Sequence, residues 1–225
     1  QKLDEWRVKE RTAVTQLEEA KNHYHKDASR LESMRNIAER YDGYGNSIRR
    51  VMEQKSTVSG IHGVVADLIR VEKKYETAIE TALGGSIQNI VTEDETTAKQ
   101  MIAYLKEHRY GRATFLPLTS VKKRDNSLRT DVLQENGVIG YADTLVHTAD
   151  RYQGIAGYLL GRTLVVDHID HAIGLARKYR YSLRIVTLEG ESLQPGGSMT
   201  GGAFRNNSNL LGRSREISVL EKSVL

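Results

Sequence analysis

Apolar side chains recur every seven residues through the first forty positions of the chain. Ten of the twelve a and d positions are apolar or aromatic, over nearly six heptads, which is long enough for a coiled coil. The a positions are Leu3, Glu10, Leu17, Tyr24, Leu31 and Ala38, and the d positions are Trp6, Ala13, Ala20, Asp27, Met34 and Tyr41. The pattern predicts one long helix over residues 1–41, with an ordinary amphipathic helix of a globular core as the alternative.

The last residues of the chain restart this helical spacing, at Ile217, Leu220 and Val224. They predict a second helix over residues 212–225. One helix enters the middle of the chain and the other leaves it, so we expect the two to pair antiparallel as arms. The first helix is much longer than its partner, and its far end should therefore fray.

The central part of the chain contains an internal repeat. Gly60 to Tyr75 aligns without gaps with Gly137 to Tyr152, at an offset of 77 residues, and the register holds through Leu-Gly pairs at 83–84 and 160–161. Each half predicts a helix that stops at Leu-Gly, then a strand, a helix and a strand, because glycine often follows the last residue of a helix. The predicted strands are 87–91, 113–116, 164–166 and 183–186, and the predicted helices between them are 96–107 and 171–179.

These patterns predict a mixed α/β (α+β) fold in five segments. They are an N-terminal arm helix (1–41), a connector with a short basic helix (42–59), a first lobe (60–136), a second lobe (137–205) and the start of a C-terminal arm helix (212–225).

Composition excludes some kinds of site and favours one kind of partner. The 225 residues contain no cysteine, which excludes disulfides and thiolate metal sites, and no apolar run is long enough to span a membrane. The net charge is +4 and the isoelectric point is near 9.2, which favours an anionic partner. Because the chain starts at Gln1 and both ends lie in helical patterns, we interpret it as a piece of a longer intracellular protein.

The segment from Pro195 to Gly202 (PGGSMTGG) carries two glycine pairs five residues apart. Gly196 and Gly201 have the spacing of a P-loop, but Gly202 and Ala203 occupy the places of its Lys-Ser/Thr, which argues against a nucleotide site. A tight hairpin or a close approach of two chains remains, since glycine tolerates both.

Basic residues concentrate in two stretches of the lobes. Residues 106–129 hold seven Lys or Arg against two acidic residues, and the triplet Lys122, Lys123 and Arg124 follows a predicted strand, as an exposed loop would. A second stretch contains Arg177, Lys178, Arg180 and Arg184. A solvated charged loop is the alternative to an anion-binding surface.

Two further groups of residues admit chemical interpretations. Asp167, His168, Asp170 and His171 place four potential metal ligands within five positions, but Asp170 is better placed to cap a helix. Tyr75 and Tyr152 occupy equivalent repeat positions and are better explained as core than as catalytic residues. No Ser-His-Asp motif with a nucleophile elbow is present in the sequence.

Three motifs together resemble the hinge domain of structural maintenance of chromosomes (SMC) proteins of the bacterial type. They are Gly60 to Val65 (GIHGVV), Gly111 to Leu118 (GRATFLPL) and Pro195 to Gly202 (PGGSMTGG), and the resemblance covers residues 56–205. It implies a two-lobed hinge between coiled-coil arms. It also implies a homodimer that contacts DNA without sequence preference, in a cytoplasmic, nucleoid-associated protein.

From this resemblance we expect a dimer interface at Gly196, Gly197, Gly201 and Gly202 and a DNA contact at Lys122, Lys123 and Arg124. The family's ATPase heads lie at the other end of the arms, so ATP and magnesium are expected there and no cofactor, metal or catalytic residue here. Membranes and other condensin subunits are not expected partners of this piece. The alternatives are an α/β enzyme with helical extensions, a nucleotide-binding regulatory domain, and a coiled-coil spacer that never touches DNA.

Overall fold

A computed structural model of the protein describes residues 2–123, 129–203 and 209–225. The chain divides into two compact units, one formed by residues 1–42 with 215–225 and the other by residues 43–214. The helices are α1 (Lys2–Glu39), α2 (Asn46–Glu53), α3 (Val65–Leu68), α4 (Glu76–Leu83), α5 (Glu95–Glu107), α6 (Gln153–Leu160), α7 (Ile169–Lys178) and α8 (Leu210–Val224). The strands are β1 (Ile61–Val64), β2 (Arg70–Val71), β3 (Ile90–Thr92), β4 (Phe115–Pro117), β5 (Val138–Tyr141), β6 (Val146–His147), β7 (Thr163–Val166), β8 (Arg184–Thr187), β9 (Ser192–Leu193) and β10 (Met199–Thr200).

The first unit pairs α1 with the end of α8, as the heptad pattern predicts. Ser223 Oγ donates to Asp27 Oδ2 at 2.6 Å. Two ion pairs add to this contact: Glu216 pairs with Arg30, and Glu221 Oε1 accepts from Arg35 Nη2 at 2.7 Å. Because α8 is much shorter than α1, the first half of α1 keeps its apolar stripe exposed, including Leu3, Trp6 and Leu17.

We expect amide hydrogens of residues 3–20 to exchange far faster than those of residues 27–39 in the isolated chain. A single helix without a packed partner is marginal in water, whereas the second half of α1 is held by α8. Hydrogen exchange followed by mass spectrometry measures the difference. Equal protection of the two halves in dilute solution would contradict this account of the arm.

The second unit is built from the repeat that the sequence predicts. At the offset of 77 residues, β1 aligns with β5, and α4 aligns with α6 from its first residue to its last. In the first lobe β3 pairs antiparallel with β1 and parallel with β4, and in the second lobe β7 pairs antiparallel with β5 and parallel with β8. Both antiparallel pairs also shift register at the same place, just before Gly63 and Gly140. The duplication is therefore present in topology as well as in sequence.

The two lobes differ at one edge of their sheets. The first sheet has the order β1-β3-β4, whereas the second continues past β8 into a hairpin and has the order β10-β9-β8-β7-β5. Among the described residues β4 ends one sheet and β10 ends the other. The sequence pattern placed the start of β3 too early, because residues 84–88 form a 3₁₀ turn and the strand begins only at Ile90.

The lobes contact each other along residues that the repeat makes equivalent. Strands β2 and β6 form a short antiparallel ladder in which Arg70 lies opposite His147. The Tyr152 hydroxyl lies 2.9 Å from His62 Nδ1, and His62 Nε2 lies 2.8 Å from Glu93 Oε2. Tyr152 therefore joins the lobes, which agrees with a structural role for this tyrosine.

Buried aliphatic side chains fill both lobes. Val64, Ile79 and Ile90 of the first lobe are inaccessible to solvent, and so are Leu160, Val165 and Ile185 of the second. None of the described helices combines the length and the apolar character that crossing a membrane would need.

Candidate functional site

The glycine motif begins as a tight turn between β9 and β10. The Gly197 N–H donates to the Gln194 carbonyl oxygen at 3.0 Å, and the Gln194 N–H donates to the Ser198 carbonyl oxygen at 2.9 Å. Pro195 and Gly196 occupy the two central positions of this turn, and Gly196 has the positive φ of 91° that a type II turn needs at its second central position. Gly197 follows with a φ of 98°. These two glycines are thus required by the hairpin itself.

The second glycine pair follows β10. Gly202 has a φ of 128°, and a Cβ atom there would meet no atom of the described residues within 4 Å. A Cβ atom on Gly201 would lie 3.1 Å from Glu191 Cγ. Gly201 therefore permits close packing against Glu191, whereas nothing in the described part of the chain crowds Gly202. Whether the four glycines form a dimer interface stays a prediction.

In the described part of the chain, strand β10 has a neighbour on one side only and leaves a free edge beside these glycines. Met199 lies opposite Leu193, one position from the hydrogen-bonded pair of Gln194 and Ser198. Since hydrogen-bonded and non-hydrogen-bonded pairs alternate in an antiparallel ladder, the N–H and C=O of Met199 point away from β9. Met199 is 54% exposed. An outward backbone donor and acceptor beside an exposed apolar side chain make β10 suitable for pairing with another strand.

The two described residues of the basic triplet have different surroundings. Lys122 is exposed, and the structure gives its side chain no ion pair among the described residues. Lys123 Nζ lies 2.7 Å from Oδ2 of Asp143, whose side chain is only 8% exposed. Arg124 lies outside the described residues. Of the three predicted DNA contacts, Lys122 is the one whose charge is free among the residues described.

Lys123 also packs against a glycine face of α6. A Cβ atom on Gly157 would come within 2.8 Å of three carbons of the Lys123 side chain. One turn earlier, a Cβ atom on Gly154 would lie 3.4 Å from the Val121 carbonyl oxygen. The loop therefore lies directly on the helix, and the glycines three residues apart in α6 are the sequence signal for this contact.

A polar cavity of about 290 Å³ adjoins this ion pair. Its walls include Lys123, Asp143, His147 and Gln153. The second carboxylate oxygen of Asp143, Oδ1, is buried without a hydrogen-bond partner among the described residues. The Lys123 ammonium is therefore the group that balances the buried carboxylate in this part of the structure.

Two residues of the second basic stretch make hydrogen bonds within the hinge. Lys178 Nζ donates to Glu135 Oε1 at 2.6 Å, and Arg184 Nη2 donates to the Ala82 carbonyl oxygen at 2.9 Å. The hydrogen bond from Lys178 is the main cause that lowers the pKa of Glu135. Arg177 and Arg180 are exposed. Two of the four cations are thus engaged by the fold, and the hydrogen bond of Arg184 joins the second lobe to α4 of the first.

The prediction that Asp170 caps a helix is wrong. Helix α7 begins at Ile169, and its N-cap is His168, whose Nδ1 accepts from the Asp170 N–H at 3.3 Å. Asp170 is therefore inside the helix and does not cap it. His171 Nδ1 lies 2.7 Å from Asp167 Oδ1, and this contact lowers the pKa of Asp167. Within the three described ranges, no three His, Asp or Glu side chains are grouped to hold a metal ion.

An aromatic cluster on the first lobe was missed by the sequence reasoning. The rings of His108 and Tyr110 are stacked, with centroids 5.2 Å apart and planes at 16°. Tyr104 lies 4.6 Å from His108, and the Arg50 guanidinium lies 5.0 Å from the centre of the Tyr110 ring. The spacing of four between Tyr104 and His108 at the end of α5 was a visible signal, because such residues share one face of a helix. The contribution of Arg50 from α2 was not visible in the sequence.

Comparison with known proteins gives a consistent result. The family model described as the SMC proteins flexible hinge domain matches residues 58–176. The chromosome partition protein Smc of Desulfitobacterium hafniense is 40% identical over 227 residues, which cover 99% of this chain and 19% of that protein. Its counterpart in Bacillus subtilis is 38% identical over 229 residues, which cover 94% of this chain and 19% of that protein. The chain therefore spans 19% of the length of either relative.

Solved structures show the same similarity. The crystal structure of an asymmetric dimer of the Geobacillus stearothermophilus SMC hinge domain has a TM-score of 0.86 and 38% sequence identity, covering 92% of this chain and 84% of that chain. The Pyrococcus furiosus SMC hinge domain has a TM-score of 0.60 and 33% identity, covering 82% of this chain and 92% of that chain.

Proposed function

The chain belongs to the SMC hinge family, and from this membership we propose that it is a non-catalytic homodimerisation module of a chromosome partition protein that also contacts DNA. The observation that carries the proposal is the free edge of β10, with the outward N–H and C=O of Met199 beside the glycine motif. A similar hinge, 38% identical to this chain, crystallises as a dimer, which supports the same assembly here.

The proposed dimer uses one edge strand from each lobe. Strand β10 ends the sheet of the second lobe and β4 ends the sheet of the first. If β10 of one protomer pairs with β4 of its partner, a two-fold axis repeats the contact and closes the pair into a ring. Two modest contacts that form together stabilise such a dimer more than either contact alone. The glycines at 196, 197, 201 and 202 would then line this interface, where the missing side chains let backbones approach.

The proposed DNA contact lies on the loop that carries Lys122, Lys123 and Arg124. Lysine and arginine side chains contact phosphates without reading sequence, so we expect binding that is non-specific and sensitive to salt. Lys122 supports the proposal most directly, because its side chain is exposed and unpaired among the described residues. Lys123 would have to leave Asp143 to reach a phosphate, so we expect it to contribute less.

The role within the whole protein follows from the same membership. We propose that ATP and magnesium act at heads outside this chain, and that the hinge works in the cytoplasm on the nucleoid. The hinge would join two copies of the protein and hold DNA near their junction. No catalytic step is assigned to the residues of this chain.

Reversing the charge of Lys122 is the experiment that tests the DNA contact. The Lys122→Glu variant should still sediment as a dimer. Its affinity for duplex DNA should fall, and the slope of log affinity against log salt should flatten by about one unit, because one phosphate is no longer neutralised. Sedimentation with and without a labelled duplex measures both properties in one series.

The Glu32→Lys variant provides the matched control, because it changes the charge of an exposed residue on the arm by the same amount in the opposite sense. Unchanged DNA affinity and slope in Lys122→Glu would place the DNA contact elsewhere on the hinge. A wild-type monomer at micromolar concentration would contradict the proposed dimer.

A further inference from the structure

We infer that a cavity between the two lobes binds a small phosphate-bearing anion. The cavity has a volume of about 240 Å³ and lies where α4 and α6 end. The first lobe contributes Ala82, Leu83 and Ser86 to its walls, and the second contributes Tyr158, Leu159, Arg162 and Arg184. This interlobe cavity shares no residue with the free edge of β10 or with the basic triplet, so the inference stands apart from the proposed function.

The charged side chains of the interlobe cavity are all positive. Arg162 and Arg184 are its two charged residues, and none of the described residues in its walls is acidic. Arg162 is exposed and makes no ion pair or side-chain hydrogen bond with the residues that the structure describes. Because a guanidinium does not lose its proton in proteins, both charges persist at every working pH. The cavity therefore carries two positive charges that its described walls do not balance.

Arg184 is oriented before any ligand arrives. Its Nη2 donates to the Ala82 carbonyl oxygen, which belongs to the last turn of α4 and has no partner inside the helix. The hydrogen bond fixes the guanidinium and also covers one of the carbonyl groups whose partial negative charge would oppose an anion. The Nε of Arg184 is buried without a hydrogen-bond partner in the described part of the chain. The fold thus satisfies only part of this side chain.

Ser86 supplies a neutral donor from the other lobe. It is half-buried, in the 3₁₀ turn that follows α4. Its carbonyl oxygen accepts from the Asn89 N–H, while its hydroxyl has no hydrogen-bond partner within residues 2–123, 129–203 and 209–225. Two guanidinium groups and a hydroxyl form a donor set suited to an oxyanion, because arginine pairs with phosphate in bidentate geometry. An anion bound to all three side chains would connect the lobes.

The internal repeat shows that the shared fold of the lobes does not require these arginines. At the offset of 77 residues Arg162 corresponds to Gly85. In the equivalent pairings of β7 with β8 and of β3 with β4, Arg184 corresponds to Thr114. Both counterparts are uncharged, and the first lobe forms the same strand pairings without an arginine at either place. The two charges are therefore a feature of the second lobe alone.

The size and polarity of the interlobe cavity determine the class of ligand. One water molecule takes up about 30 Å³ in the liquid, so 240 Å³ holds an ion of five heavy atoms with waters around it. Pockets for drug-sized organic ligands are larger, about 300 to 1,000 Å³, and mostly apolar. A phosphate group has the charge and the acceptor oxygens that arginines and a hydroxyl match. Inorganic phosphate and small phosphomonoesters share this group.

The test titrates the whole chain with inorganic phosphate at constant ionic strength, by isothermal titration calorimetry. Arg162→Gln should weaken phosphate binding about tenfold, because it removes a charge-assisted hydrogen bond. Ser86→Ala removes a neutral donor and should weaken it about fivefold. Because Arg162 is exposed, its substitution should leave folding unchanged, which circular dichroism checks. Arg177→Gln is the matched control and should bind as the wild type does, since it removes an exposed arginine of the same lobe that has no ion pair among the described residues.

Several outcomes would overturn the site. A wild type that binds no phosphate at tens of millimolar would do so, and so would equal affinities of the wild type and Arg162→Gln. Equal losses in Arg162→Gln and Arg177→Gln would indicate attraction to surface charge in general. If Arg162→Gln loses affinity for a DNA duplex while inorganic phosphate does not bind, the cavity belongs to a DNA surface and the inference fails.

Two further measurements locate the site and identify the source of the phosphate. On addition of inorganic phosphate, amide chemical shifts should change in residues 82–86 and 158–162, and changes confined to other residues would contradict the site. Tighter binding of O-phosphoserine than of inorganic phosphate would support an esterified phosphate as the ligand. Weaker binding of O-phosphoserine would support the free ion.

Discussion

Met199→Pro is expected to shift the proposed hinge dimer strongly towards a folded monomer. Proline has no backbone N–H, and the N–H of Met199 points away from β9 towards the free edge of the sheet. The substitution therefore removes a donor of the proposed interface and leaves the ladder between β9 and β10 intact. Proline is tolerated at the edge strands of sheets, so folding should survive.

The size of the effect follows from the symmetry of the dimer. A two-fold axis places Met199 in both contacts, so one substitution weakens the interface twice. If each missing backbone hydrogen bond costs about 1 to 1.5 kcal/mol, the dissociation constant should rise about 30- to 150-fold. Sedimentation velocity over a range of concentrations measures this shift between the 25.3 kDa chain and its dimer.

Met199→Val is the control, because it keeps the N–H and remains suited to a strand. It should sediment as the wild type does. Substituting the motif glycines is a less clean test, since Gly196, Gly197 and Gly202 have positive φ angles that other residues adopt only with strain. A Met199→Pro variant with the dissociation constant of the wild type would show that the free edge of β10 is not the contact.

The arms and the repeat could be predicted from the sequence because their signals are local. The seven-residue pattern of α1 and the Leu-Gly stops of α4 and α6 depend on neighbours along the chain, and the structure confirms them. Even so, one local interpretation was wrong. Asp170 looked like a helix cap, but the extended backbone of His168 begins the helix two residues earlier.

The candidate functional surfaces were harder to predict because they depend on contacts between distant residues. The triplet at Lys122, Lys123 and Arg124 reads as one uniform charge, and only the fold places Asp143 beside Lys123. The aromatic cluster likewise needs Arg50 and Gln54 of the connector region to meet the end of α5. Sequence patterns show which charges and rings are present, but the packing of the lobes determines which of them already have partners.

Lys123→Gln is expected to lower the free energy of unfolding by about 1.5 to 3 kcal/mol, because it leaves the carboxylate of Asp143 without its charged partner. The side chain of Asp143 is 8% exposed, so water can replace the missing ammonium only in part. Lys122→Gln, next in the chain but exposed, should change stability by less than about 0.5 kcal/mol. Urea unfolding followed by circular dichroism compares the two variants.

Asp143→Asn and the double variant Lys123→Gln/Asp143→Asn measure the coupling between the two side chains. Lys123 is 48% exposed, so after Asp143→Asn its ammonium can turn into water, and this single change should cost less than Lys123→Gln. In the double variant no buried charge is left unpaired. Its loss in free energy of unfolding should therefore be smaller than the sum of the two single losses, by about 1 to 2 kcal/mol. Strictly additive effects would show that the pair is not coupled. With such coupling, charge reversal at Lys123 should destabilise the fold as well as weaken any DNA contact, whereas reversal at Lys122 should affect DNA binding alone.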